Sequence, residues 1–309
     1  MKKIGLVLPL FFLIFAGNVF SQPVISTKAD RLIVDFGTTE NEDEKVYCTF
    51  HDSATVSYQR GGSTFLRLDG LLGKTSEVSE LIIDLITHYD SDHVNRALVE
   101  QCLRDGSFNR LIAPYPDLES SRNAVFSILE EHAQGTEQDT EGNRILDISP
   151  DGQSLNLTIT DVGDFSYSSF QTDGDIFVEM YKYHKPRSMN TDGLIFRISH
   201  KNISYLLFGD FDDPAGIENL LDVFTIRADI VKWPHHAHKF ANNKKTDEIL
   251  KKMNEKVNPF YIIWEPYQNQ KGFPDYIERF DFRYKFLCSE DMEIQVISFF
   301  RIEHFLPLG

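Results

Sequence analysis

The chain has 309 residues and carries 47 acidic side chains against 31 lysines and arginines, a formal net charge of −16. An acidic surface of that size repels phosphate backbones at long range, which argues against non-specific nucleic-acid binding but not against a site that handles one phosphate. Three cysteines, Cys48, Cys102 and Cys288, lie far apart with no CxxC pair, so no thiolate zinc signature is present. An exported protein could close one disulfide, with the pair left open by the sequence.

The N-terminus joins Lys2 and Lys3 to an apolar run from Ile4 to Ala16, followed by Ser21. A basic segment, an apolar segment of this length and a small residue predict a secretory signal over residues 1–21. The run is too short for a spanning helix, so the mature chain is expected to carry no stable membrane span. Residues 22–309 are then enough for one large domain.

Strands and helices alternate along the chain. Leu81–Thr87 is an apolar, strand-like run. Val94 to Cys102 follows with helical spacing, and Gly106 is a plausible stop. Leu111–Ala113 reads as a short strand closed by Pro114, and about 117–134 as a helix. Residues 135–152 are polar and read as a loop or insertion. Ile176–Tyr183 is strand-like. Leu194–Ser199 and Ile203–Phe208, separated by His200-Lys201-Asn202, read as a hairpin. Pro214 suits the first turn of a helix. Ile230–Trp233 is a short strand ended by Pro234, Thr246–Met253 a helix and Tyr261–Trp264 a strand. The mixture indicates a layered α/β sandwich.

The chemistry-bearing residues sit at the ends of these strands. His88-Tyr89-Asp90-Ser91-Asp92-His93 packs two imidazoles and two carboxylates into six positions, between an apolar strand and an amphipathic helix. Imidazole and carboxylate together suit zinc, manganese or iron. A solvated loop with an Asp N-cap accounts for a carboxylate but not for the two flanking histidines. Leu206-Leu207-Phe208-Gly209-Asp210 is an apolar strand ending in Gly-Asp. A carboxylate there can bridge two metals, although Gly-Asp alone is a common turn dipeptide. Pro234-His235-His236-Ala237-His238 ends another strand with three imidazoles in four positions, a cluster that alone reads equally as a solvated loop.

In this order the motifs resemble the metallo-β-lactamase superfamily, and within it the branch like the hydrolase domain of the competence protein ComEC. That branch often has Asp at the middle position of the first motif, as Asp90 here. Its later motifs look like Asn-x-x-Ser, Gly-Asp and His-His-Gly-Ser. They are matched by Asn190-Thr191-Asp192-Gly193, Gly209-Asp210 and His235-His236-Ala237-His238. An early Asp-Gly is matched by Asp69-Gly70. The resemblance covers roughly residues 45–265 and leaves a Phe- and Tyr-rich extension from 272 to 309. Departures are Gly193 for Ser, Ala237-His238 for Gly-Ser, and Val94-Asn95 after the first motif.

The resemblance implies a four-layer αββα sandwich and a metal-dependent hydrolase with two divalent ions, zinc or manganese. His88 and Asp90 would belong mainly to one site, Asp92 and His93 to the other, and Asp210 would bridge them. One imidazole of the His235–His236 pair would complete a site. His235 is taken as the ligand and His236, with Asp92, as a catalytic group, the order within the pair being open. A water between two such ions is acidified towards neutrality. No GxSxG nucleophile is present. The carboxylate-rich set favours a phosphoester, with carboxylic hydrolysis of a lactam or lactone as the alternative and a non-catalytic metal-binding recognition protein as the alternative from another class.

Overall fold

The computed structural model describes residues 24–28, 31–35, 44–51, 53–60, 64–68, 81–91, 93–94, 96–106, 110–133, 145–152, 155, 157–171, 176–200, 203–237, 243–259, 261–264, 285–288, 294–297 and 305–307. In chain order, β1 (Val24–Lys28), β2 (Arg31–Asp35), β3 (Glu44–His51), β4 (Ser53–Arg60) and β5 (Thr64–Leu68) form an antiparallel meander. β6 (Leu81–Leu85) pairs parallel to β5. Helix α1 (Arg96–Asp105) crosses over to β7 (Arg110–Pro114), parallel to β6. Helix α2 (Ala124–Ala133) leads to β8 (Ile145–Ile148), antiparallel to β7.

The second sheet begins with β9 (Thr160–Val162), β10 (Phe165–Gln171), β11 (Ile176–Tyr183), β12 (Leu194–His200) and β13 (Ile203–Leu207), all antiparallel. Helix α3 (Pro214–Val223) then leads to β14 (Ile230–Lys232), parallel to β13. The one-turn helix α4 (Pro234–Ala237) and helix α5 (Asn243–Lys256) lead to β15 (Tyr261–Trp264), followed by β16 (Lys285–Cys288), both in parallel register. Finally β17 (Ile294–Ile297) and β18 (Phe305–Pro307) return to the first sheet beside β1. Among the described residues the two sheets have ten and eight strands.

Burial explains the layering. On β7, Leu111 and Ala113 pack with Val99 of α1 and with Val125, Phe126 and Leu129 of α2, while Ile112 is equally buried and points the other way. On β11 and β12, Tyr181, Tyr183 and Ile195 pack with Ile217 and Leu220 of α3 and Leu250 of α5. Their neighbours Val178, Met180, Phe196 and Ile198 are buried on the opposite face. Over these strands each sheet is covered by helices on one face and buried on the other, which gives the expected four layers. A run such as Tyr205-Leu206-Leu207 of β13, buried at successive positions, is what a strand covered on both faces requires. No helix among the described residues is long and apolar enough to cross a membrane; residues 1–21 lie outside them.

Three local expectations are corrected. The helix expected over about 117–134 begins only at Ala124. Asp117 N and Leu118 N donate to the distant Asp192 carboxylate, and Glu119–Ser121 makes a single tight turn. Asn123 then caps α2, its Oδ1 accepting from Val125 N (2.9 Å) and Phe126 N (3.2 Å). Within the polar stretch 135–152, Ile145–Ile148 is a fully buried strand, held by Arg110 on Asp147 at 2.5 Å. Strand β10, alternating Phe-Ser-Tyr-Ser-Ser-Phe, escaped the sequence reading. Elsewhere the expected hairpin and the Pro214 helix start are found, and Asp213 caps α3 by accepting from Ala215 N at 2.9 Å.

Candidate metal centre

Strands β6, β13 and β14 all end at the same rim of the sandwich, and the polar motifs follow each of them. β6 runs into Ile86-Thr87-His88. The alternation that sends Ile86 towards α1 and α2 sends Thr87 towards the second sheet. There Thr87 becomes the meeting point of the two halves. Its carbonyl accepts Leu194 N at 2.7 Å. A Cβ placed on Gly193 would fall closer than 3.0 Å to that carbonyl oxygen, and one on Gly209 would fall 2.9 Å from Thr87 Cβ. Gly209 also has φ +56, a backbone that glycine adopts without strain. Glycine at both positions lets two strand ends of one sheet close onto the strand end of the other.

That approach brings the ligand-type side chains together. His88, His93 and Asp210 are 1%, 0% and 3% exposed. Each offers a nitrogen or oxygen within 4.8 Å of the others. His93 Nε2 lies 3.2 Å from Asp210 Oδ1, and the rings of His88 and His93 are 4.3 Å apart. Thr87 Oγ1 sits 3.0 Å from His88 Nδ1, which fixes the ring by that nitrogen and directs Nε2 away from it. Two imidazoles and a carboxylate, buried and converging, are the donor set for a borderline divalent ion, and three protein ligands leave coordination positions open. The residues present therefore fit a bound ion.

His235 completes the rim. Its backbone N donates to Gly209 O at 3.0 Å, its Nε2 is 3.8 Å from Asp210 Oδ2 and its Nδ1 is 3.4 Å from Asp212 Oδ2. The Asp212 carboxylate facing Nδ1 at 3.4 Å raises the His235 pKa above the ordinary histidine value. Burial pulls the other way, and the Asp210 and Asp212 charges reinforce the rise.

Other expected residues fare differently. The Asp90 carboxylate accepts from Ser91 N at 2.8 Å and its backbone carbonyl accepts from His93 N and Val94 N; neither Asp90 nor His235 is among the three groups whose atoms converge within 4.8 Å. Asp92 and His238 lie outside the described residues, as do Asp69 and Gly70 and the side chain of His236.

Sequence reading missed the framework around the site. Asn123 Nδ2 donates to Tyr89 O at 2.7 Å, and Tyr89 Oη donates to Pro114 O at 2.7 Å, so the loop carrying His88 is clamped from the α2 side. Lys182 and Asp192 form a fully buried ion pair. Asp192 also accepts from Asp117 N (3.0 Å) and Leu118 N (2.7 Å), joining the second sheet to the segment before α2. The available signal was a lysine inside the apolar run of β11, since a buried lysine demands a carboxylate nearby.

No protein-family model matches this sequence, and no curated protein matches it. Among solved structures the chain is similar to a protein from Parabacteroides distasonis described as a metal-dependent hydrolase, at 14% identity and a TM-score of 0.48, over 84% of this chain and 98% of that one. It is also similar to a metallo-β-lactamase fold protein from Bacillus subtilis, at 13% identity and a TM-score of 0.38, over 87% of this chain and 98% of that one. A third is a protein from Thermotoga maritima described as a Zn-dependent hydrolase of the metallo-β-lactamase superfamily, at 9% identity and a TM-score of 0.33, over 86% of this chain and 97% of that one.

Proposed function

We propose that the chain is an exported metal-dependent hydrolase that activates water and acts on a phosphoester. The observation that carries the reading is the convergence of His88, His93 and Asp210, all buried, at one strand-end rim. His88, His93 and Asp210 would hold a divalent ion, which would supply Lewis acidity and lower the pKa of a water towards neutrality. The residues of the chain do the rest. Thr87 orients His88 by its Nδ1. Asp210 spans the cluster, with Oδ1 towards His93 and Oδ2 towards His235. His235 carries the imidazole closest to the outer side of that carboxylate, and it is 21% exposed where the three buried ligands are not. A group in that position is suited to complete the ion's coordination or to move a proton to a leaving oxygen. The preference for a phosphoester rests on hard carboxylate donors beside imidazole, and export on the basic and apolar N-terminus.

The test is elemental analysis of purified protein together with a substrate panel of phosphodiester, phosphomonoester, lactam and lactone esters, run with zinc and with manganese. About two ions per chain and turnover of a phosphoester are expected. Asp210→Asn should lower turnover by about 10²-fold or more. Protein that retains no ion after loading, or that turns over none of the panel, refutes the reading.

A further inference from the structure

His235 is one of two non-glycine residues with positive φ among the described residues, at φ 46. The left-handed region is costly for a residue with a Cβ, so such a backbone persists only where its surroundings hold it. Here they do. Pro234 fixes the preceding φ, and the His235 N–H is tied to Gly209 O at 3.0 Å. The backbone sets where the ring starts, and the two ring nitrogens then meet different carboxylates. Nε2 faces the buried Asp210 at 3.8 Å, on the side of His88 and His93. Nδ1 faces Asp212 at 3.4 Å, on the opposite side.

Asp212 is itself held in place by its loop. Asp210, Phe211 and Asp212 alternate in direction. Phe211 is 1% exposed and sits in the core with its ring 5.5 Å from that of Tyr183. Gly216 leaves room for it, since a Cβ there would fall 2.6 Å from Phe211 Cζ. Asp213 caps α3 immediately afterwards. With Phe211 anchored in the core on one side and a capped helix on the other, Asp212 has little freedom to move away from His235.

We propose that Asp212 is a positioning residue that holds His235 by its Nδ1 and thereby presents Nε2 to the ion-holding cluster of His88, His93 and Asp210. The inference rests on the metal reading above. A carboxylate on the outer nitrogen of an imidazole ligand fixes the tautomer and the ring plane and raises the basicity of the inner nitrogen. Loss of such a partner typically costs about 10–100-fold in metal affinity. Asp212 acts on the ion site through its contact with His235 Nδ1.

A double-mutant cycle with zinc as the titrant tests this. Full-length protein is stripped with chelator and titrated with zinc in competition with an indicator, as wild type, Asp212→Ala, Asp212→Asn, His235→Ala and Asp212→Ala/His235→Ala. Thermal melts of the stripped proteins report folding separately. Asp212→Ala is expected to weaken zinc binding about 10–100-fold. Asp212→Asn keeps an oxygen for the Nδ1 proton and should recover part of that loss. In the His235→Ala background, Asp212→Ala should add nothing, because the group it positions is gone. Wild-type affinity in Asp212→Ala, or an equal loss with and without His235, overturns the positioning role while leaving the metal centre standing. A wild-type chain that binds no zinc overturns the metal reading and this inference with it.

Discussion

Gly193 sits where the two sheets approach closely, and that approach can be tested by substitution. A Cβ at position 193 would lie inside 3.0 Å of Thr87 O, 3.1 Å from His88 Cβ and 3.3 Å from Thr87 C. Two of these neighbours are backbone atoms, and the third carries the His88 ring. Retreat on the Gly193 side is blocked. Thr191 Oγ1 accepts from Arg187 N (2.9 Å) and Ser188 N (3.0 Å), and Asp192 is bound to Lys182, Asp117 N and Leu118 N. In Gly193→Ser the two segments must part by roughly 1 Å to restore ordinary carbon–oxygen contact. Overpacking of this kind costs about 1–3 kcal/mol. Stretching the 2.7 Å bond from Leu194 N to Thr87 O adds about 1 kcal/mol. A total of about 2–4 kcal/mol should lower Tm by roughly 5–15 °C, at the few degrees per kcal/mol usual for domains of this size. Because the strain falls on Thr87 and His88, ion affinity should fall as well. Turnover should drop by about 10²-fold, the usual consequence of a 1 Å misplacement near a reacting centre. The assay is thermal denaturation with and without zinc, paired with zinc titration. A Gly193→Ser protein with wild-type Tm and wild-type zinc affinity would refute the close-approach account of the site.

Lys182→Met should destabilise the protein by about 3–5 kcal/mol in urea denaturation, because Asp192 stays buried without its cation. The double variant Lys182→Met/Asp192→Asn should recover part of the loss, and a single variant as stable as wild type would show that the two backbone N–H donors alone satisfy Asp192. Burial, and after it the Asp192 charge, raises the Tyr89 pKa well above its ordinary value of about 10, and burial, then the Glu179 charge, does the same at Tyr181. The unfolded chain releases these protons at about pH 10 while the folded chain keeps them. Their contribution is thus complete below pH 10 and is lost as pH rises through the folded values, at about 1.4 kcal/mol per pH unit for each group. Urea denaturation between pH 9 and 11.5 should show this decline, with a shallower slope in Tyr89→Phe; equal slopes would refute it.

How far the sequence determines this protein can be argued residue by residue. The alternation of apolar runs with amphipathic stretches fixed the α/β class, and the hairpin at 194–207 and the Pro214 helix start followed from turn and capping chemistry alone. These are local effects, carried by side-chain period and backbone preference over a few positions. The density of imidazole and carboxylate from His88 to His93, the Gly-Asp at 209–210 and the histidines from 235 onward were legible for the same reason. What tertiary structure decided was which of them meet. Asp90 lies two residues from His88, yet its carboxylate serves its own loop, while Asp210, more than a hundred residues away, lies against His93. The delayed start of α2 had the same origin, since Asp192 draws the 117–118 backbone out of helical geometry from 74 residues away. Asp212 and Asn123 were not legible because each acts on a partner distant in sequence, and of the Lys182–Asp192 pair only the lysine within β11 gave a signal. Their value depends on burial, which a linear pattern does not carry. The sequence thus named the chemical groups, and the closing of two sheets at Thr87, Gly193 and Gly209 chose the ones that share a centre.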